Sequence, residues 1–255
     1  MTAARLTPLA TLLALVLIPT LAAAIEAGNP ANPFDHVGQA HNDGLDYIIL
    51  HKDDLGASPL GWGVNAVQLT LDQRCGDGGE RKPTCGRCLG VDTGTFTADL
   101  MDALSQEPQA LLRSSGVSRV EAAYINRILT TLSELGTVDE DTSSREIFVR
   151  AMDTIEAIRA IEAQAIRRLG VRSGYRVLVG ASVARYSTAY WAEEMLAPTS
   201  PWASRPGEDD RPMYIPWADV GVADCMGAIH FSVLGPEGTI LGGVGMSAIR
   251  VISLL

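Results

Sequence analysis

The feature that most constrains this chain is a long apolar stripe at helical spacing. Phe148, Ala151, Met152, Ile155, Ile158, Ala165, Ile166 and Leu169 recur between Ser143 and Gly170. A period near 3.6 puts such residues on one face of an α-helix, whereas a strand would need alternation. Ser143 or Ser144 supplies a cap and Gly170 a stop, so the helix spans roughly 36–40 Å at 1.5 Å per residue. A stripe of that length must be covered by other helices, because an amphipathic helix is stabilised mainly by packing its apolar face.

The remaining helices follow the same signals. Thr97 to Leu104 is a short one, with Thr95 or Thr97 as cap. Ser118 to Leu135 opens with Ser118 and Glu121 in capping-box spacing, carries Ala122, Ile125, Ile128, Leu129 and Leu132, and ends at Gly136. Ser173 to Leu196 is rich in small residues that admit a close neighbour. Asn32 and Pro33 read as a helix start, with Asp35 in the first turn, and Gly38 and Gly44 are expected to split that helix near His41 and Asn42. The chain is 47% hydrophobic with only 5% aromatic residues. That balance suits closely packed helices. The expected fold is all-α, an irregular multi-helix bundle.

Three segments interrupt the bundle. Residues 56–94 form a Gly/Cys-rich loop insert, residues 197–215 a Pro-rich linker, and residues 216–255 a small-residue helical hairpin. In the hairpin, Pro216 begins a helix with Ala218, Gly221, Cys225, Ala228 and Ser232 on one stripe. Gly235 to Gly238 is the turn, and Gly238, Gly242 and Gly245 face the partner arm. Glycine costs a helix about 1 kcal/mol relative to alanine, so this many argue for close backbone packing.

Residues 1–24 read as a signal peptide: Arg5, an apolar run from Leu9 to Ile18, Pro19, and small residues up to Ala24. The run is interrupted and shorter than the roughly 20 apolar residues a membrane span needs. The expectation is an exported protein, periplasmic or extracellular, with 25–255 as a single helical domain. Among the basic residues only Lys52 and Lys82 are lysines, which we read as the trace of a GC-rich bacterial genome. The formal net charge is −10, and removing the leader takes away only Arg5 among the charged residues. Such an acidic chain argues against nucleic acid and against docking on anionic headgroups.

Asn32-Pro33-Phe34-Asp35 with Gly38, His41-Asn42 and Leu45-Asp46, then Ser187 with Tyr190-Trp191, then Trp217-Ala218-Asp219 before a glycine-rich end, resemble a loose group of uncharacterised exported bacterial helical proteins. These segments cover about a quarter of the chain. Asp224, His230 and the Cys-rich insert depart from the simplest form of that group. The resemblance implies an exported helical protein and transfers no catalytic residue.

Candidate chemistry is sparse. Cys75, Cys85 and Cys88 have a spacing compatible with a zinc knuckle, but an exported chain with an even number of cysteines favours disulfides. Cys225, in an apolar helix, reads as a buried free thiol. Leu89 after Cys88 excludes haem attachment. Asp35, His36, His41, Asp43, Asp46 and His51 include acid, base and ligand types, yet their spacings do not share one helical face. Asp35, His41, Asn42 and Asp46 are therefore read as a polar cluster, structural or functional, in which His41 and Asn42 are expected to cap the broken helix and tie it to a neighbour. No HExxH, GxSxG, phosphate loop or dinucleotide fingerprint is present. The expected role is non-enzymatic: an exported binding or envelope-associated protein with no resident cofactor and an unknown partner. The alternative is a membrane-active toxin or bacteriocin-like protein that inserts its glycine-rich hairpin, a reading opposed by Asp224, His230, Glu237 and Arg250 within it.

Overall fold

The computed structural model describes residues 25–51, 93–136, 141–197, Trp202 and 216–254. The signal-peptide segment, most of the Gly/Cys-rich insert with Cys75, Cys85 and Cys88, and most of the Pro-rich linker lie outside the described residues.

The fold is all-α. In chain order the α-helices are α1 (Asp35–Leu50), α2 (Thr93–Ser105), α3 (Pro108–Ser114), α4 (Arg119–Ser133), α5 (Ser144–Ser173), α6 (Tyr175–Leu196), α7 (Trp217–Phe231) and α8 (Gly235–Leu254). A short 3₁₀ turn, Ser232–Leu234, joins the last two.

Several boundaries have the local causes the residues suggested. The Ser118 hydroxyl accepts from the Glu121 N–H and the Glu121 carboxylate accepts from the Ser118 N–H, a closed capping box. Ser143 caps α5 through the Glu146 N–H, and Glu146 pairs with Arg150 one turn on. Gly136 and Gly170 both take positive φ, +66° and +71°, a conformation that glycine adopts without strain. At Gly170 the helical path of α5 breaks, and a short continuation leads into α6.

α6 is the central helix. Almost every residue from Val177 to Ala192 is buried, Tyr186 being the partly exposed one. It is flanked by α1, α4, α5 and α7. This explains its composition: a helix enclosed on all sides needs small or apolar residues around its whole circumference. α7 and α8 form the tightest pair, and α8 also lies against α1.

The structure corrects three expectations. α1 is not split at His41 and Asn42; it runs unbroken from Asp35 to Leu50. Its glycines face inward, and a Cβ on Gly38 would lie 2.5 Å from the Ser182 carbonyl oxygen and from a Tyr186 ring carbon. The helix also starts later than Asn32: the Asn32 side chain instead accepts from the Phe34 N–H at 2.9 Å and shapes the preceding turn. The hairpin turn lies earlier than Gly235–Gly238, in Ser232–Leu234, with Gly235 at φ +84° opening α8.

Candidate functional site

Two buried polar clusters hold α1 in place. The first is built on Glu162 of α5 and Arg185 of α6, both fully buried. Arg185 Nε lies 3.0 Å from Glu162 Oε2, and its Nη2 donates to Asp35 Oδ1 at 2.6 Å and to Glu162 Oε1 at 3.1 Å. The Asn32 amide donates to Glu162 Oε1 at 2.6 Å and to the Leu178 carbonyl at 2.8 Å. Asn29 donates to Glu162 Oε2 at 2.6 Å. Tyr186 O–H donates to Asp35 Oδ2 at 3.2 Å. A buried charge is tolerated only when paired and hydrogen-bonded, and these amides supply the missing donors. The chain ahead of α1 is thereby tied to α5 and α6.

The second cluster lies farther along α1. Asn42 donates to the Tyr186 carbonyl at 3.0 Å. His41 Nδ1 is 3.0 Å from Asn42 Oδ1, and its Nε2 is 3.7 Å from Asp224 Oδ2 on α7. Ser187 Oγ donates to that same carboxylate oxygen at 2.5 Å, and Trp191 Nε1 is 3.4 Å from it. His41, Ser187 and Asp224 are all fully buried. Burial raises the Asp224 carboxyl above its ordinary range, against smaller opposing effects of His41, Ser187, Ser247 and Trp191. Asp46 is likewise raised by partial burial, with the Tyr190 hydroxyl opposing.

Serine, histidine and aspartate together suggest nucleophilic catalysis, but the connectivity here is different. In a triad the histidine stands between serine and carboxylate and takes the serine proton. Here Ser187 gives its hydrogen bond to Asp224 directly. The group is also closed off from solvent. Its chemistry is that of a cross-brace between α1, α6 and α7.

Of the residues the sequence singled out, Asp35, His41, Asn42 and Asp46 all lie on α1 with contacts to α6 or α7: Asp35 to Arg185 and Tyr186, Asn42 to the Tyr186 carbonyl, His41 to Asp224 and Asp46 to Tyr190. His36 is exposed and His51 turns back to the Tyr47 carbonyl at 2.8 Å. Among the described residues, no three His, Cys, Asp or Glu side chains are grouped to hold a metal ion. Cys225 is a free, fully buried thiol whose pKa burial drives upward. Of the hairpin glycines, Gly242 meets Gly227 of α7 so closely that a Cβ on either would overlap the other's carbonyl oxygen. Gly221 instead faces Leu132 of α4, Gly238 faces Leu234 of the turn and the Phe231 carbonyl at the end of α7, and Gly245 is buried.

Glu162, Arg185 and Gly227 are absent from the residues that sequence reasoning singles out. Glu162 has a signal: it falls in register with Ile155, Ile158 and Ala165, where an apolar residue belongs. Arg185 lies in the all-round apolar stretch of α6, the same kind of anomaly.

An accessible concavity among the described residues lies elsewhere. A groove of about 520 Å³ runs between the α2–α3 corner and the α7–α8 hairpin. Leu111, Val222, Met226 and Met246 line its floor, and Glu107, Asp219 and Arg250 its rim. Arg250 donates to Asp219 at 2.9 Å. Beside it, on α7, His230 lies 2.9 Å from Ser115 Oγ, and burial lowers its pKa against the raising influence of Asp99 and Asp102.

Asn32, Asp35, Gly38, His41 and Asn42 face α5, α6 and α7 in the same region as Ser187 and Trp191. No protein-family model, curated protein sequence or solved structure matches this chain.

Proposed function

We propose that this is an exported, non-enzymatic helical protein that acts at the cell envelope by binding through its surface. One observation carries the reading. The side chains of the two polar clusters, His41, Glu162, Arg185, Ser187 and Asp224, are fully buried and engaged in bracing helices. A catalytic group must reach a substrate, so these are better suited to holding the fold than to turnover. The groove between α2, α3, α7 and α8, with an apolar floor and a charged rim, has a volume in the range of small-molecule and peptide sites.

The alternative, a toxin that inserts its hairpin, has less support. No helix among the described residues is long and apolar enough to cross a membrane. Gly227 of α7 and Gly242 of α8 are already turned onto each other, and Gly243 onto His41.

The test is made in the native host. Fractionation followed by intact-mass measurement should recover a chain beginning at Ile25 outside the cytoplasm, and crosslinking should capture a constant envelope component. A full-length chain retained in the cytoplasm would defeat the export reading. Dye release from liposomes at low protein concentration would favour the toxin instead.

A further inference from the structure

The net charge of the chain conceals a strongly basic pole. From Pro108 to Ser133 and from Ala163 to Ala192 the sequence contains a single acidic residue, Glu121, against eight arginines. The fold gathers most of these at one end. α4 and α5 are antiparallel: Arg150 near the start of α5 donates to the Leu135 carbonyl just past the end of α4, and Arg127 donates to Gln164 at 2.9 Å. Arg119 lies roughly two turns beyond Arg127, about 12 Å, and Arg168 one turn beyond Gln164 in the same direction. The kink at Gly170 then returns the chain to α6, where Arg176 donates to the Gly116 carbonyl in the α3–α4 turn at 2.7 Å. Arg113, Arg119, Arg167, Arg168 and Arg172 thus share one end of the molecule.

All five are exposed, and none has an ion-pair partner among the described residues. Glu121 is held in its capping box with Ser118. Two large apolar side chains stand exposed between these arginines, Val120 at 48% and Val171 at 41%. The far end of α6, about 30 Å away along a 22-residue helix, carries the opposite sign in Glu26, Asp43, Asp46, Glu193 and Glu194, with the Ile25 N–H on Glu193 at 3.0 Å. Among the described residues, positive and negative charge are thus gathered at opposite ends.

We infer that the arginine pole is a docking surface for an anionic lipid bilayer, with Val120 and Val171 entering the headgroup layer. This deepens the envelope-binding reading above and rests on it for the compartment. A flat bilayer presents its phosphates to one pole and leaves the acidic pole in solution. A long nucleic acid would contact more of an acidic protein, and exposed valines give it nothing to stack on. Basic side chains around small apolar ones are the composition of a surface that settles at an interface.

The test uses residues 25–255 and sedimentation with vesicles of pure phosphatidylcholine or with about one third phosphatidylglycerol. Binding to the anionic vesicles alone is expected, falling steeply as salt shortens the screening length. Near such a surface each arginine is worth about fivefold, so Arg113→Gln/Arg168→Gln/Arg172→Gln should lose about a hundredfold in partition. Val120→Ser/Val171→Ser should lose several-fold with little change in salt dependence. Arg145→Gln, exposed at the start of α5, should bind as the parent does. Helical circular dichroism checks that each variant is folded. Equal binding by the triple variant, no binding to anionic vesicles at low salt, or retention by a soluble polyphosphate but not by vesicles would each overturn the inference. None of these results bears on export, which is decided by the fractionation. A chain confined to the cytoplasm would defeat the export reading while leaving the vesicle result to stand.

Discussion

The seam between α1 and α6 and the seam between α7 and α8 both bring helices close, by different means. Along α1 and α6 a glycine opens the space, and polar groups then fix the register: Gly38 donates to Ser182 Oγ at 3.0 Å, Asn42 to the Tyr186 carbonyl, and Arg185 to Asp35. Along α7 and α8 the glycines Gly227 and Gly242 face each other across backbone, with Met246 and Phe231 filling the flanks. The first seam depends on directional partners and the second on the absence of side chains. The difference teaches what each can tolerate. A polar seam fails when one partner is removed, and a glycine seam fails when an atom is added.

The sharpest break of the first seam is Arg185→Met. It leaves the Glu162 carboxylate buried without its cation, which should cost about 3–5 kcal/mol in urea unfolding. Adding Glu162→Met should recover much of that loss, because the buried charge then goes too. If the double variant were as unstable as the single one, the pair would not be the cause. The corresponding break of the second seam is Gly227→Ala. Its new methyl meets the Gly242 carbonyl, a backbone group that cannot swing aside, and about 1–3 kcal/mol should be lost. The loss would be absent if α7 and α8 could simply move apart. A gentler probe is Asn42→Ala, which removes the hydrogen bonds to the Tyr186 carbonyl and to His41 Nδ1 and should cost about 1–2 kcal/mol by the same assay.

The smallest effect is a change of slope with pH. Burial raises Asp224 above its ordinary value of 3.8. A raised folded-state pKa means the protonated form is the better tolerated one. The contribution is therefore complete below 3.8 and is lost as pH rises through the raised value. Asp224→Asn has no such ionisation. Relative to that variant, the parent should lose stability as pH increases above the ordinary carboxylate range. Parallel stability curves would show that Asp224 does not titrate with folding.

Much of the helical layout is legible because its signals are local. Ser118 with Glu121, Ser143, Gly136 and Gly170 each act within one turn, so the sequence reveals them directly. The expected interruption of α1 does not occur, because a glycine in mid-helix signals a break only if nothing presses on it. Gly38 is there because Ser182 and Tyr186 press on it, and that is a fact about α6. The seam glycine Gly227 escapes notice for the same reason: the stripe through Gly221 and Cys225 is equally regular, but it faces α4 and α6 instead of α8. Asp35, His41 and Asn42 do tie α1 to its neighbours. Their partners Arg185, Tyr186 and Asp224 lie over a hundred residues away, and no spacing rule connects them. The basic pole is hidden because net charge averages over surfaces that the fold separates.

Native-state hydrogen exchange tests the two-seam account most directly. In the parent, the amides of α1 should open in a step of lower free energy than those of α6, α7 and α8, since α1 is held by removable polar ties. Arg185→Met should lower the opening energy of α1 and leave the hairpin's protection above it. Gly227→Ala should lower the protection of α7 and α8 and, with them, of the whole core. If both variants exposed the same set of amides by the same amount, the polar and glycine seams would be one cooperative unit, and the distinction between them would be wrong.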